Sequence, residues 1–545
     1  MSQIKTGELN NMKYRLLTFQ ILILFILTQT GLADVRLNAL FTDKMVMQRE
    51  TKIPVWGWAD PMEKITIEAS WGAKAETITN MDSTWSVKIK TPKAGGPFQI
   101  TVSGKNTIVV DDVLSGEVWL CGGQSNMDHH LSTYIADARE PQYQPLVEHI
   151  RSEIKNTHDP LLRTLVIPHM TSIDKKITNF EAEWLSVNPE QTGKFSATGY
   201  FFAKELREKL DIPIGLVECA RGATRIQPWL SEKTYMSDEK TKAYYLEEHE
   251  KAKEKMAIMN AEGYVDIKYQ RALKKWKEDG KKGWKPRPTP HPTKDITIPA
   301  TYHNGMVYSI IPYAIKGVIW YQGESNSGYM TDLYEEYFTT LINSWRTEWN
   351  QGDFPFYWAQ LSAYQQPNEN PQEDCGWASV NDHQRRTLKV KNTGMAVTYD
   401  IGEAEDIHPH NKMDVGKRLS LWALKNEYNF KKIICSGPIY KSHKIKDGKI
   451  EIKFSDIGSG LMVGKKILLE DTVPVDEPLK RFQIAGKDRK WKWANAEIIS
   501  KNKIIVSHPD IPEPIVVRYA WSKNPEGANL YNKEGLPASV FTTEK

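Results

Sequence analysis

Hydrophobic and polar residues alternate in short runs from Val35 to about Asp112. Examples are Ile53-Pro54-Val55-Trp56-Gly57-Trp58, Ile65-Thr66-Ile67-Glu68-Ala69, Trp85-Ser86-Val87-Lys88-Ile89 and Phe98-Gln99-Ile100-Thr101-Val102. A period of two sends successive side chains to opposite faces of a strand, and turn residues separate the runs at regular intervals. The stretch 34–112 therefore predicts a small all-β sandwich. After Asp112 the pattern changes. Apolar runs at 118–121, 214–219, 317–321, 356–360 and 395–399 read as buried strands, and stretches such as 201–210 and 333–349 between them have helical spacing. Strands alternating with helices predict an α/β domain over 113–432, built on a parallel sheet covered on both faces, with ligands bound outside the carboxyl ends of its strands. Short strands return near Ile433, at 450–454, 466–469, 504–506 and 516–519, and predict a second β domain over 433–545.

Two segments stand outside this scheme. Residues 232–299 are dense in Lys, Glu and Ala at 247–258 and 269–276 and close with Trp284-Lys285-Pro286-Arg287-Pro288-Thr289-Pro290. That composition predicts a solvated helical insertion with a proline-rich return, and a lid over a site is the alternative. At the amino terminus, Lys13 and Arg15 precede an apolar run over 16–27, and Gly31-Leu32-Ala33 supplies small residues at a cleavage position. This predicts a signal peptide over 1–33, a mature chain from near Asp34, and a secreted or periplasmic location. The run is too short for a good membrane span, so no stable membrane insertion is expected after cleavage.

Composition narrows the partners. The 545 residues carry 72 basic and 68 acidic side chains, a net charge of +4, so no nucleic-acid partner is implied. The 18 Trp and 23 Tyr suit sugar binding as well as core packing. The cysteines Cys121, Cys219, Cys375 and Cys435 are too few and too widely spaced for a disulfide framework. Composition says nothing of the oligomeric state.

The candidate chemistry lies at strand ends. The run 118–121 stops at Gly122-Gly123-Gln124-Ser125-Asn126-Met127. Glycines let a chain turn sharply out of a strand, and a serine on such a turn projects its hydroxyl at the sheet's edge; an ordinary strand-to-loop junction has the same text. Other strand ends carry Cys219-Ala220-Arg221-Gly222-Ala223-Thr224, Trp320-Tyr321-Gln322-Gly323-Glu324-Ser325-Asn326 and Glu405-Asp406-Ile407-His408-Pro409. Together these supply a hydroxyl, an imidazole, carboxylates, a backbone N–H beside glycine and amide side chains. Acyl transfer by serine uses that set: an imidazole takes the hydroxyl proton, a carboxylate orients the imidazole, and donors receive the oxyanion.

Gly-Gln-Ser-Asn-Met after one strand, Trp-Tyr-Gln-Gly-Glu-Ser-Asn after another and Asp-Ile-His-Pro near the end of the α/β region resemble the sialate O-acetylesterase family of SGNH-type hydrolases. The flanks at 41–48, 54–58, 304–306, 517–521 and 529–538 agree with it. The resemblance implies an SGNH or flavodoxin-like three-layer α/β core flanked by β domains, a carbohydrate O-acetylesterase activity, an acetylated carbohydrate as substrate, and no metal or organic cofactor. It implies Ser125 as nucleophile and His408 as general base, with Asp406 orienting the histidine. Asp406 stands two residues before His408 where the usual spacing is three, a position held here by Glu405, so Glu324 is the rival acid. The implied oxyanion hole uses the N–H groups of Ser125 and Gly222 and the amide of Asn326, with Gln322 as alternative. Arg221 beside Gly222 departs from the family text and suits a substrate carboxylate, with a structural ion pair as the alternative. His129, His130, His303 and His410 are read as structural. An acetylxylan or pectin-type deacetylase is the second enzymatic reading, and a non-catalytic glycan-binding protein on a hydrolase scaffold is the reading from another class.

Overall fold

The computed structural model describes residues 34–371 and 374–544, so the expected signal peptide lies outside the described residues. The chain is organised on the strand Thr107–Gly123, 17 residues long, which starts in the amino-terminal β region and runs unbroken into the α/β core. The boundary expected at 112 falls inside it. At that point Asp112 has φ of 52°, and Arg163 donates to its carbonyl and carboxylate at 2.5 and 2.8 Å.

In the amino-terminal region Lys52–Trp58 pairs with Arg36–Leu37 and Thr84–Lys90. Lys64–Ala69 pairs with Lys74–Ile78 and Gly95–Ser103, and the latter joins Thr107–Gly123. The inward residues Val55, Ile65, Ile67, Trp85, Ile89, Ile100 and Val102 are buried in one cluster that continues into the α/β core. The alternation of polar and apolar residues is thus the signature of one-sided burial.

The core sheet has the order Trp184–Val187, Asp159–Val166, Ile214–Ala220, Thr107–Gly123, Gly317–Tyr321, Phe356–Ala359, Thr393–Ala396. All neighbours are parallel except the edge strand Trp184–Val187, which is antiparallel. The pattern does not reveal Asp159–Val166, because Pro160 and Arg163 interrupt its apolar run. The first core strand in sequence lies in the middle, and later strands are laid down on either side of it, so the strand order, not the strand direction, switches there. Register completes the arrangement: Gly123 is level with Ala220 on one side and Tyr321 on the other. Three strands therefore end together at the switch point, where open α/β sheets bind ligands.

Helix Ala197–Leu210 begins earlier than its pattern predicts because Ser196 caps it, accepting from the Gly199 N–H. Helix Tyr334–Trp349 lies where helical spacing places it. The helices Gly376–Thr387 and Lys412–Glu427 are not legible as apolar stripes, since each buries polar residues such as Asp382, Lys412, Asp414 and Arg418. The strand expected at 395–399 is Thr393–Ala396 followed by a 3-10 turn, Tyr399–Ile401. The strand expected at 466–469 is a turn that follows Leu461–Lys465, and Lys466 is drawn aside to pair with Asp414 at 2.9 Å.

The carboxyl-terminal strands form small antiparallel sheets that brace the core. Arg418 donates to both Asp400 oxygens at 2.6 and 2.8 Å, and the Tyr531 hydroxyl reaches Asp400 at 3.2 Å. The insertion is helical, with Glu239–Asn260 capped by Asp238 and Ile267–Glu278 capped by Asp266. Tyr245, His249 and Ala252 are its buried residues on the first helix, whereas the second buries none. It reaches the core through Tyr244, whose hydroxyl lies 3.4 Å from that of Tyr329. Among the described residues no helix is long and apolar enough to cross a membrane.

Candidate active site

The turn at the end of the central strand is possible only with glycine. A Cβ on Gly122 would stand 2.8 Å from the Trp320 ring; Gly123 has φ of 134°, and a Cβ there would stand 2.2 Å from the Tyr321 carbonyl oxygen. Gln124 then locks the turn to the neighbouring strand end. Its N–H donates to the Tyr321 carbonyl at 2.8 Å, and its Oε1 accepts the Gly323 and Ser325 N–H groups at 3.3 and 3.2 Å. Ser125 opens the short helix Ser125–Asp128, so its own N–H has no intrahelical acceptor.

Ser125 Oγ lies 2.9 Å from His408 Nε2, although 283 positions separate them. With Nε2 accepting the hydroxyl proton, Nδ1 carries the imidazole N–H, and Asp406 Oδ1 is 3.7 Å from it. The same Oδ1 accepts the His408 backbone N–H at 2.9 Å. Glu405 is exposed and accepts from Gln366 at 2.7 Å. Glu324 does not contact His408; its Oε1 accepts from Asn126 Nδ2 at 2.6 Å, and its Oε2 is buried without a hydrogen-bond partner. Of the carboxylates considered from sequence, Asp406 is the one beside the imidazole. Burial and the charges of the neighbouring His129 and Lys412 push the His408 pKa down to about 4. Burial holds the Glu324 carboxyl above the usual carboxylate range.

The expected oxyanion donors are arranged differently. Gly222 does face the serine: a Cβ on it would lie 3.5 Å from Ser125 Cβ. Its N–H, however, donates to Asp128 Oδ2 at 2.8 Å. Asp128 Oδ1 accepts from His169 Nε2 at 2.8 Å, and His169 Nδ1 accepts from Arg221 Nη1 at 2.8 Å. Burial opposes ionisation of Asp128, but His169, the Gly222 N–H and Arg221 hold its pKa below the usual value. Arg221 is thus engaged by the protein through His169.

Asn326 and Gln322 are both fully buried, and their amides are bonded to the scaffold. Asn326 Nδ2 donates to Gln227 Oε1 at 3.2 Å and the Tyr329 carbonyl at 3.4 Å, while its Oδ1 accepts the Ile226 N–H at 2.9 Å. Gln322 Nε2 donates to Asn326 Oδ1 at 2.8 Å and the Thr224 carbonyl at 3.1 Å, and its Oε1 accepts from the Tyr334 hydroxyl. They hold the 222–227 and 322–326 loops together. Asn326→Ala is expected to lower unfolding free energy by about 1–3 kcal/mol, because it strands buried partners; chemical denaturation checks this, and an unchanged midpoint would contradict it.

Residues set aside or unnoticed in the sequence also meet here. His129, read as structural, lies against His408 with ring centroids 4.3 Å apart and the rings tilted by 46°. His303 and His410 pair with Glu348 and Glu403 at 2.7 and 3.0 Å. Asn126 and the fully buried Lys412 join at 2.8 Å between the serine turn and the histidine loop. Their proximity in sequence to Ser125 and His408 was the available signal.

A family profile described as carbohydrate esterase, sialic acid-specific acetylesterase, matches residues 115–282 and 301–425. Sialate O-acetylesterase of Mus musculus is 27% identical over 560 residues, covering 93% of this chain and 94% of that protein. The Homo sapiens sialate O-acetylesterase is 26% identical over 550 residues, covering 93% and 92%. Among solved structures, a carbohydrate acetylesterase from Xanthomonas citri superposes with a TM-score of 0.75 at 30% identity, covering 94% of this chain and all of that one (100%).

Proposed function

The chain belongs to the carbohydrate esterase family of sialic acid-specific acetylesterases, carboxylic ester hydrolases, and from that premise we propose that it is an exported serine O-acetylesterase acting on sialic acid or a related acetylated sugar. The observation that carries the serine mechanism is the 2.9 Å contact between Ser125 Oγ and His408 Nε2. Ser125 Oγ attacks the acetyl carbonyl carbon while His408 Nε2 accepts its proton, and the charge that builds on the carbonyl oxygen is met by the Ser125 N–H. The sugar hydroxyl leaves with the proton from His408. Water, deprotonated by the same nitrogen, then releases acetate and restores the serine. Asp406 stabilises the imidazolium. The sheet order and the level strand ends support an SGNH-type arrangement for this chemistry.

Sialic acid is favoured by the family and by Arg221, the residue before Gly222, whose guanidinium bonds His169 in the network that holds the Gly222 N–H. Acetate release from O-acetylated sialic acid, acetylated xylo-oligosaccharides and acetylated pectin fragments tests the reading. Preference for sialic acid supports it, equal rates remove a carboxylate-binding role for Arg221, and no release from any ester returns the protein to a glycan-binding role.

The pH dependence has a definite sign. A free imidazole titrates near 6.5, and only the neutral form accepts the serine proton. Because the His408 pKa is pushed down to about 4, kcat/KM is expected to hold as pH falls through 6.5 and to be lost on approach to that lower value. An acidic limb at 6.5 or above in the pH–rate profile would contradict the environment described for His408.

A further inference from the structure

A buried polar group lies between the serine turn and the histidine loop, and the chemical steps above leave it without a task. Lys412 is 0% exposed at the start of helix Lys412–Glu427. Its Nζ donates to the Pro409 carbonyl at 2.7 Å and to Asn126 Oδ1 at 2.8 Å. Asn126 Nδ2 donates to Glu324 Oε1 at 2.6 Å and to the Ile407 carbonyl at 3.2 Å, and the Asn126 carbonyl accepts the Thr198 hydroxyl at 2.8 Å. Residue 126 follows Ser125, residues 407 and 409 flank His408, and residue 324 sits in the loop that Gln124 also grips. Both chain neighbours of His408 are therefore tied to the residue next to the nucleophile.

Burying an ammonium group costs several kcal/mol unless it is well compensated, and an apolar side chain of similar volume is often at least as stable. Space-filling alone would not call for lysine here. The carboxylates of Glu403, Glu324 and Asp406 face Lys412, and its Nζ lies 5.0 Å from the Tyr134 ring centroid and 6.0 Å from that of Tyr321. His408 in turn faces His129, Lys412, Asp406 and Arg139.

We propose that Asn126 and Lys412 are positioning residues of the esterase reaction: a buried clamp that holds His408 within reach of Ser125 Oγ and sets a positive charge behind the imidazole. The proposal rests on the serine-esterase reading. Its two parts have separate consequences. The tether fixes the distance across which the proton moves, and a misplacement of about 1 Å costs on the order of a hundredfold in rate. The charge opposes formation of imidazolium. Burial brings the Lys412 pKa down to about 7, so Lys412 is cationic throughout the acidic range in which His408 titrates. Removing that charge lets the His408 pKa rise, and the acidic limb of the rate profile moves to higher pH.

The test compares kcat, KM and the pH–rate profile on p-nitrophenyl acetate for the wild type, Asn126→Ala, Lys412→Met and Lys412→Arg, with Ser125→Ala as reference. Asn126→Ala and Lys412→Met are expected to lose about a hundredfold in kcat with KM nearly unchanged. Lys412→Met is also expected to raise the acidic limb by at least about half a pH unit, whereas Lys412→Arg, which keeps the charge, leaves it in place. A limb unmoved in Lys412→Met, or Asn126→Ala within a few-fold of wild type, overturns the clamp. Should Lys412→Met fail to fold, Asn126→Ala decides the tether and Lys412→Gln decides the charge. An inactive Ser125→Ala beside a fully active Asn126→Ala refutes the clamp alone; a fully active Ser125→Ala refutes the hydrolase reading instead.

Discussion

Ser125→Ala is expected to lower kcat for acetate release by a factor on the order of 10⁴ or more, with substrate binding largely retained. The serine hydroxyl is the acyl acceptor in the proposed mechanism, and His408 Nε2 stands 2.9 Å from it. Without Oγ, the imidazole has only water to activate, and water lacks the orientation that the Gly123-Gln124 turn imposes on the serine. The loss of one oxygen leaves the fold intact, so the drop belongs to chemistry: circular dichroism and the melting midpoint are expected to stay near wild type. A variant that keeps even a tenth of the rate would remove Ser125 as nucleophile.

The second large effect separates the two candidate acids. Asp406→Asn is expected to cut kcat by about 10²–10⁴-fold, since it removes the charge that stabilises imidazolium while its Oδ1 can still accept the His408 backbone N–H. Glu324→Gln is expected to cost about tenfold or less, because Glu324 bonds Asn126 and does not touch His408; a neutral amide oxygen keeps that acceptor and loses only its charge assistance. Steady-state kinetics of the two amide variants decides the matter. A greater loss in Glu324→Gln would make Glu324 the partner acid and leave Asp406 with the support of the loop.

Much of the fold is readable from local pattern because burial is periodic where only one face of an element is buried. The runs at 53–58, 65–69 and 85–89 became paired strands of the amino-terminal region for that reason. The pattern fails where polar side chains are buried with partners supplied from afar. Arg163 interrupts a core strand yet is satisfied by Asp112 and Lys44, and Arg418 lies inside a helix face yet is satisfied by Asp400. Lys466 reads as the start of a strand, but its ion pair with Asp414 takes it out of one.

By itself the sequence determined the residue types at each strand end, the glycine pair before Ser125, and the motifs that carry the family likeness. Those are properties of neighbouring residues and need no tertiary contact to be recognised. Which carboxylate stands beside His408, how the amides of Gln322 and Asn326 are spent, what holds the Gly222 N–H and where Lys412 is buried were decided only by tertiary structure. Each depends on a distance between elements far apart in the chain, set by strand register and by the docking of the 402–411 loop, and a hydrogen bond lost or gained over about 1 Å leaves no trace in the order of residues.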